Sequence, residues 1–321
     1  MIRKTLAAAA LALLAAPAFA QYPTKPVTMI VPFSAGGPTD TVARSIGVAM
    51  QNVLKQSVIV ENVGGAGGTI GVGRAAKASP DGYTILLHHI GMATAPTLYR
   101  KLTFDPLKDF EYIGEVTDVP MTMIARGNFP AKDFKEFLAY VKANKSKVSY
   151  GNAGLGSASH LCGLLFFSTI QTDVTTVPYK GTGPAMNDLL GGQIDFMCDQ
   201  TTNTTSQIKS GKVKAYAVTT PKRVPALPNL PTLQEEGLKG FDVGVWHALY
   251  APKGTPKAAL DKLNEALVHA LKDEGVNKRF AELGTEPVPP EKATPAYLQK
   301  HLAAEIAKWG PIIKAAGQYA D

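Results

Sequence analysis

A glycine turn near the start of the chain has the composition of an anion-binding site. Residues 27–44 read VTMIVPFSAGGPTDTVAR, which predicts an apolar strand, a turn at Gly36 and Gly37, and then a helix. Glycine lets backbone N–H groups approach a ligand closely, and the N-terminus of a helix favours negative charge. The turn therefore indicates a small anion, a carboxylate or a phosphate, as the first ligand to consider.

A second turn repeats the pattern of the first. The prolines, the aromatic residue and the last glycine of residues 32–38 (PFSAGGP) recur in residues 178–184 (PYKGTGP). Two turns of this kind indicate two halves of the molecule that face each other.

A third loop is rich in small and hydroxyl-bearing residues. Residues 150–160 (YGNAGLGSASH) follow a predicted strand and precede an apolar helix that we expect to begin near Leu161. The loop is either a second anion cradle or an ordinary connection in which Ser159 caps the helix. It holds more small and polar residues than capping requires, which favours the cradle. The run at 64–69 (GGAGGT) is equally consistent with a structural turn and a binding loop.

Further candidates lie at the ends of predicted strands. His88 closes the third strand and Met92 follows it, so both could line a cleft, although a buried histidine is also a common core residue. Asp199 follows a strand predicted at 194–198, and a carboxylate there repels an anion unless it holds a water or a donor. Trp246 could pack on a ligand, but a place in the core is favoured.

No familiar catalytic motif is complete in this sequence. The P-loop pattern G-x-x-x-x-G-K-[ST], the G-x-S-x-G elbow, H-E-x-x-H and any His/Cys cluster are all missing. Residues 71–76 match G-x-G-x-x-A, but they do not directly follow a strand, as a dinucleotide site requires. Polar donors without a nucleophile or base indicate a binding protein. We expect neither a cofactor nor a metal.

The elements that position these residues alternate between strands and helices. This order predicts α/β architecture with mainly parallel sheets. We predict strands at 27–31, 57–61, 84–88, 110–116, 121–126, 148–150, 175–177, 194–198, 213–219 and 243–250. We predict helices at 39–54, 133–144, 256–271 and 295–316, the last of them broken or ended near Gly310 and Pro311.

The length of the chain, 321 residues, predicts two domains, because one hydrophobic core seldom serves so many residues. Residues 221–240 carry four prolines and read as an extended connector followed by a short helix. With the passage at 110–126, this connector would take the chain to a second lobe and back. We expect a first lobe of residues 21–122 and 226–321, an inserted lobe of residues 123–225, and a ligand in the cleft between them.

The N-terminus has the features of a secretory signal peptide. Arg3 and Lys4 precede an apolar run at 6–16, and Ala18-Phe19-Ala20 fits a cleavage site. We predict a signal peptide of residues 1–20 and export to the bacterial periplasm. No later stretch reaches the roughly 18 apolar residues that a membrane helix needs.

The net charge and the cysteines limit which classes of function remain. The formal net charge is +7, and the basic residues are spread along the chain. A soluble basic surface is therefore favoured over nucleic-acid binding, which needs a basic stripe interleaved with aromatics. The two cysteines, Cys162 and Cys198, are equally consistent with a disulfide and with buried free thiols.

Taken together, several motifs along the mature chain resemble the Bug family, the extracytoplasmic solute-binding proteins of tripartite tricarboxylate transporters. The motifs are Tyr22-Pro23-x-Lys25-Pro26, Val31-Pro32-Phe33-x-Ala35-Gly36-Gly37-x-Thr39-Asp40, Asn62-x-x-Gly65-Ala66-Gly67-Gly68, Pro80-Asp81-Gly82-Tyr83-Thr84, Pro178-Tyr179-Lys180-Gly181 and Ala251-Pro252-x-Gly254-Thr255-Pro256. The resemblance implies a two-lobed periplasmic binding protein fold of type II, with two parallel-rich α/β domains joined by a two-strand hinge.

The resemblance also implies that two loops hold one carboxylate through backbone groups and water, without chemistry, and that a membrane permease receives the ligand. The residues we assign to the ligand site, by motif or by position, are Phe33, Ser34, Ala35, Gly36, Gly37, Thr39, His88, Met92, Gly154, Gly156, Ser157, Ser159, Asp199 and Trp246. We expect a monomer that binds a dicarboxylate, a tricarboxylate or an aromatic carboxylate.

Two other functions are compatible with these residues. A ligand sensor would hand the same carboxylate to a membrane receptor. An exported enzyme of carboxylate metabolism would release its ligand chemically changed.

Overall fold

The computed structural model describes residues 22–317 and residue 319, so the predicted signal peptide lies outside the described residues. In chain order the elements are β1 (Val27–Val31), α1 (Pro38–Leu54), β2 (Val58–Asn62), a short 3₁₀ turn (Ala66–Gly68), α2 (Thr69–Ala76), β3 (Thr84–His89), α3 (Gly91–Leu98), β4 (Phe110–Arg126), α4 (Phe134–Ala143), β5 (Ser149–Asn152), α5 (Ala158–Ile170), β6 (Thr175–Pro178), α6 (Thr182–Leu190), β7 (Phe196–Gln200), α7 (Thr201–Lys209), β8 (Val213–Val218), β9 (Gly244–Pro252), α8 (Lys257–Lys272), α9 (Glu274–Glu282) and α10 (Pro295–Ala316).

The strands form one mixed sheet that runs through both halves of the molecule. Its order is β2-β1-β3-β9-β4-β7-β5-β6, and β8 also pairs with β4. Pairing is parallel toward both ends, where β1 lies beside β2 and β3, and β5 lies beside β6 and β7. Pairing is antiparallel at the centre, which contains β4 and β9. We call the half with β1–β3, α1–α3 and α8–α10 the first lobe, and the half with β5–β8 and α4–α7 the second lobe.

Strand β4 connects the two lobes as a single element. The sequence predicts two strands here, at 110–116 and 121–126, but the structure has one strand of 17 residues. Its first part pairs with β9, with register shifts between Tyr112 and Gly114 and between Glu115 and Thr117. Its second part pairs with β7 and β8. The prediction of a break was wrong because Pro120 is accommodated opposite Gly244, at the last pair with β9.

Two further predictions fail where packing overrides local sequence signals. Helix α10 continues through Gly310 and Pro311 without a break. Pro311 is exposed, whereas Trp309 and Ile313 are buried on the core side and hold the helix in place. Residues 221–240 contain no helix. Instead this segment makes consecutive turns whose apolar side chains, Val224, Leu227 and Leu230, form a small core with Val218.

One shift of strand boundaries affects the site directly. The sequence predicts a strand at 194–198, followed by Asp199, whereas β7 begins at Phe196 and includes Asp199 and Gln200. Asp195, just before β7, accepts hydrogen bonds from the backbone N–H of Ser149 and from Arg126. The paired strand begins at Phe196, two residues later than predicted, and continues through Gln200.

The two cysteines form a disulfide between α5 and β7, which decides between the alternatives left by the sequence. Both cysteines are fully buried in the second-lobe core, beside Tyr150, Phe166 and Phe196. Across the described part of the chain, no helix combines the length and the apolar character needed to span a bilayer.

Candidate functional site

A small polar cavity lies where the two lobes meet. The first lobe contributes the loop after β1 and the end of β3, and the second lobe contributes the starts of α5 and α6 and the end of β7. The cavity volume is about 260 Å³, including space that is open to solvent. The lining residues are Phe33, Pro38, Thr39, His89, Ala153, Ser157, Ala158, Ser159, Thr182, Asp199 and Gln200.

The first glycine turn is held in shape by Asp40. The Asp40 carboxylate accepts hydrogen bonds from the Gly36 N–H (3.0 Å), the Arg44 guanidinium (2.9 Å) and the Asn62 amide (3.0 Å). Burial alone would raise the pKa of this carboxyl, but these hydrogen bonds together lower it below its ordinary value. The Gly36 donor is thus used within the turn. Phe33 and Thr39 line the cavity, whereas Gly36 does not.

The loop after β5 presents hydroxyl groups to the cavity. The Ser157 hydroxyl accepts from the His160 N–H and caps α5, so the capping residue is Ser157 and not Ser159. The Ser159 hydroxyl instead accepts from the Ala153 N–H at 2.9 Å and lies 3.1 Å from the Ser157 hydroxyl. The two serines are therefore fixed side by side within the cavity wall.

Three buried histidines stand behind and beside the cavity in the neutral state. The rings of His88 and His89 lie 4.5 Å apart, and those of His89 and His247 lie 5.6 Å apart. Burial lowers the pKa of His88 to about 3 and that of His247 to about 4, and it lowers the pKa of His89 as well. None of the three carries a positive charge at neutral pH.

The hydrogen bonds of His89 and His247 determine the tautomers of these two rings. His89 Nδ1 accepts from the Gly91 N–H at 3.0 Å, which leaves the ring proton on Nε2. His247 Nδ1 lies 3.0 Å from the Val245 carbonyl and donates to it, so His247 Nε2 accepts from the Thr39 hydroxyl at 3.3 Å. His247 therefore orients Thr39, and His89 offers the cavity an N–H donor.

Polar atoms without partners concentrate at the second-lobe side of the cavity. Within the described residues, Thr182 Oγ1, Asp199 Oδ1 and Gln200 Oε1 are buried and have no hydrogen-bond partner. Asp199 is fully buried, and its other oxygen accepts from Asn203. Burial raises the pKa of Asp199 to about 6, although Asn203, the Gln200 backbone N–H and the nearby Thr182 hydroxyl oppose the shift. Buried polar atoms are costly without partners, so this cluster is suited to a polar ligand.

The two glycine turns are in direct contact. The Ser34 N–H donates to the Lys180 carbonyl across the lobes at 3.2 Å. A Cβ on Gly181 would lie 2.3 Å from Ser34 Oγ, and a Cβ on Gly67 would lie 1.8 Å from the Leu155 carbonyl oxygen. These glycines allow backbone from opposite lobes to approach, which a larger residue would prevent.

A tyrosine hydroxyl adds to this contact between the lobes. Tyr99 Oη lies 2.7 Å from the carbonyl oxygens of both Ala66 in the first lobe and Leu155 in the second. Beside it a wider groove crosses the junction, lined by Ala66, Tyr99, Gly154, Leu155, Pro178, Tyr179, Lys180 and Pro184.

The structure brings five of the predicted site residues into the cavity wall: Phe33, Thr39, Ser157, Ser159 and Asp199. Others lie just outside it, in the turns or behind the wall: Ser34, Ala35, Gly36, Gly37, His88, Gly154 and Gly156. Met92 is buried in the core. Trp246 donates its indole N–H to Glu305 and packs on His301, away from the cavity lining.

Six lining residues are absent from the sequence-based assignment: Pro38, His89, Ala153, Ala158, Thr182 and Gln200. Thr182 lies in the repeated turn, so that repeat was a signal pointing to it. His89 and Gln200 are neighbours of assigned residues, and only the direction of each side chain decides which one faces the cavity.

The cavity wall offers polar groups that can bind a ligand. The wall consists of hydroxyls, an amide, a neutral imidazole, one carboxyl and apolar groups. Across the described residues, no group of three or more His, Cys, Asp or Glu side chains is placed to hold a metal ion.

Comparisons with known proteins identify the family of this chain. Residues 42–318 match the model of the tripartite tricarboxylate transporter family receptor. The solved structure of the periplasmic binding protein BugD is 54% identical, with a TM-score of 0.92 over 94% of this chain and 100% of that one.

Two further solved structures of this fold contain ligands. MatC from Rhodopseudomonas palustris with bound malate is 42% identical, with a TM-score of 0.88 over 91% of this chain and 100% of that one. A second R. palustris protein, with adipate, is 33% identical, with a TM-score of 0.87 over 92% of this chain and 98% of that one. This chain therefore belongs to the tripartite tricarboxylate transporter receptor family and is a periplasmic solute-binding protein of the Bug type.

Proposed function

We propose that this protein captures a small carboxylate, most simply an aliphatic dicarboxylate, in the cavity between its lobes and releases it chemically unchanged. The supporting observation is the convergence of Phe33, Thr39, Ser157 and Ser159 from two facing loops, next to buried polar atoms without partners. Relatives of the same fold hold malate and adipate. Hydroxyl and N–H donors are the groups that bind a carboxylate without catalysis.

We further propose that the protein acts in the periplasm as a monomer and delivers its ligand to the permease of a tripartite tricarboxylate transporter. The family match supports this role. We also propose lobe boundaries at residues 122/123 and 225/226; near the first of these, β4 changes from pairing with β9 to pairing with β7 and β8.

A thermal-shift screen tests the ligand class. The panel contains succinate, L-malate, adipate, citrate, benzoate and phthalate, with glucose and putrescine as non-carboxylate controls. A ligand at a hundred times its Kd should stabilise the protein by about 2.7 kcal/mol, which gives a clear rise in Tm. Stabilisation by glucose or putrescine, and by none of the carboxylates, would contradict the proposal.

Delivery to a permease needs a separate test. Transport of the best carboxylate is measured in vesicles that contain the cognate permease, with and without this protein. Uptake that depends on the protein supports delivery. Binding to a membrane receptor without any effect on uptake would indicate a sensor instead.

A further inference from the structure

The cavity has an unusual charge balance for a site that receives an anion. Among the described residues that line it, Asp199 has the only side chain that can carry a charge at neutral pH, since none of them is Lys or Arg and His89 is held neutral. The described lining therefore contains no cation that could neutralise a carboxylate. An incoming anion therefore meets only uncharged polar groups and the carboxyl group of Asp199.

Asp199 is placed to interact with the ligand directly. Its Oδ2 is occupied by Asn203 of α7, whereas its Oδ1 is buried and has no hydrogen-bond partner within the described residues. Thr182 Oγ1 and Gln200 Oε1, which also belong to lining residues, have no hydrogen-bond partner within the described residues either, and Thr182 lies close enough to Asp199 to lower its pKa. A free Oδ1 in the wall can face the ligand.

The groups around Asp199 cannot supply a compensating positive charge. Tyr150, from β5, is neutral and donates its hydroxyl to the Ser159 carbonyl. His89, from β3, and His247, behind Thr39, are neutral. The remaining neighbours, Asn203 from α7 and Thr182 from α6, are uncharged. A second negative charge placed here would be strongly repelled, because two carboxylates sharing a buried site cannot both ionise.

We propose that the ligand carboxylate binds against Asp199 with one proton shared between the two groups, so that binding takes up a proton from solution. This inference rests on the proposed function. The proton lies between one ligand oxygen and Asp199 Oδ1, and the hydroxyls of the wall bind the remaining ligand oxygens. Asp199 thus acts as a hydrogen-bond donor that selects a carboxylate and disfavours a group unable to accept.

The consequence is a specific dependence of affinity on pH. Before binding, the pKa of Asp199 is already raised to about 6 by burial, and the ligand charge raises it further. Above pH 7 the free protein must therefore take up a proton to bind, while a simple aliphatic ligand stays ionised. The Kd should weaken about tenfold between pH 7 and pH 8.

Calorimetry of the wild-type protein tests the proton directly. The probe is the carboxylate of the screening panel that gives the largest rise in Tm. Titrations at pH 8 in phosphate and in Tris, whose ionisation enthalpies differ, should show uptake of about one proton per ligand bound. Binding without proton uptake would overturn the proposal and leave carboxylate binding intact. If no panel carboxylate binds, the proposed function itself fails.

The variant Asp199→Asn provides the second test. Its amide can donate without a proton from solution, so its Kd should be nearly constant from pH 7 to pH 8, and at pH 8 it should bind more tightly than wild type. The control is Asp173→Asn, which changes an exposed acid in the same lobe and should keep the wild-type pH dependence. Loss of binding by Asp199→Asn at both pH values would overturn the proposal, because it would identify Asp199 as an ionised carboxylate that accepts a hydrogen bond from the ligand. If this variant does not fold, the calorimetric result decides alone.

Discussion

At the scale of single residues, two buried carboxyl groups near the cavity, those of Asp40 and Asp199, have different roles. Asp40 receives three donors, and the pKa of its carboxyl is lowered, so it anchors the first turn as a carboxylate. At Asp199, burial outweighs the donors, of which Asn203 is the strongest, and the pKa of its carboxyl is raised. The balance between burial and donors at each acid therefore decides its protonation.

Glu115 provides a test of buried acids away from the site. It lies in β4 with 2% of its surface exposed, and burial raises the pKa of its carboxyl to about 8, with Asp118 and Glu305 adding to the rise and Lys292 opposing it. Because the folded-state pKa is above the unfolded value, wild type loses stability relative to Glu115→Gln as pH rises from about 5 through 8.

The measurement is Tm from pH 6 to pH 9. The difference between Glu115→Gln and wild type should shift in favour of the variant as pH increases. An exposed control, Glu291→Gln, should show no such trend. A difference that stays constant with pH would mean that Glu115 is already ionised at pH 6.

At the scale of elements, short contacts between loops join the lobes. Tyr99 follows α3, and its hydroxyl lies within hydrogen-bond distance of carbonyls on both sides of the junction. Tyr99→Phe removes one hydroxyl hydrogen bond of about 1 kcal/mol, which should weaken ligand binding about fivefold by disfavouring closure. The measurement is Kd by calorimetry.

A matched control separates closure from stability. Tyr216→Phe also removes a hydroxyl that donates to a carbonyl, that of Ala131, but both residues lie in the second lobe. This control should lower Tm without changing Kd. Equal effects of both variants on Kd would refute a role for Tyr99 in closure.

The disulfide joins two elements that carry site residues, because α5 begins next to Ser157 and β7 contains Asp199. It closes a loop with a sequence separation of 36. Replacing Cys162 and Cys198 together by alanine should lower the free energy of unfolding by about 3 to 4 kcal/mol, since a cross-link restricts the unfolded chain. Urea unfolding measures this change. Labelling of both thiols in unreduced, unfolded wild type would contradict the pairing.

At the scale of the whole molecule, closure depends on backbone of one lobe reaching the other. Gly67 has a φ of +59°, and a Cβ on it would lie 1.8 Å from the Leu155 carbonyl oxygen. Gly67→Ala should therefore keep the lobes apart, weaken binding at least about tenfold, and prevent the ligand-induced decrease in radius of gyration that we expect of wild type.

Small-angle scattering with and without the carboxylate measures this decrease. Gly192→Ala is the control, because Gly192 has a φ of +74° but no atom lies within 4 Å of the added Cβ. It carries similar backbone strain without a contact between lobes. Normal closure of Gly67→Ala would show that this junction is not essential.

Sequence alone determined the local features of this protein. The apolar patterns predicted the positions of most strands, and the glycine turns at 36–37 and 181–183 predicted two loops that meet, because turn chemistry is a property of a few adjacent residues. Boundaries failed where packing overrides local signals, as in the unbroken β4 and in α10 at Pro311.

Only the tertiary structure decided which side chains face the cavity. Neighbouring residues of a strand point to opposite faces, so a sequence cannot choose between His88 and His89. The pairing of β3 with β9 places His89 opposite His247 and in the cavity wall. The pairing of β7 with β4 likewise draws Asp199 and Gln200 into the strand and buries them. Register is a property of two strands at once, and no single segment contains it.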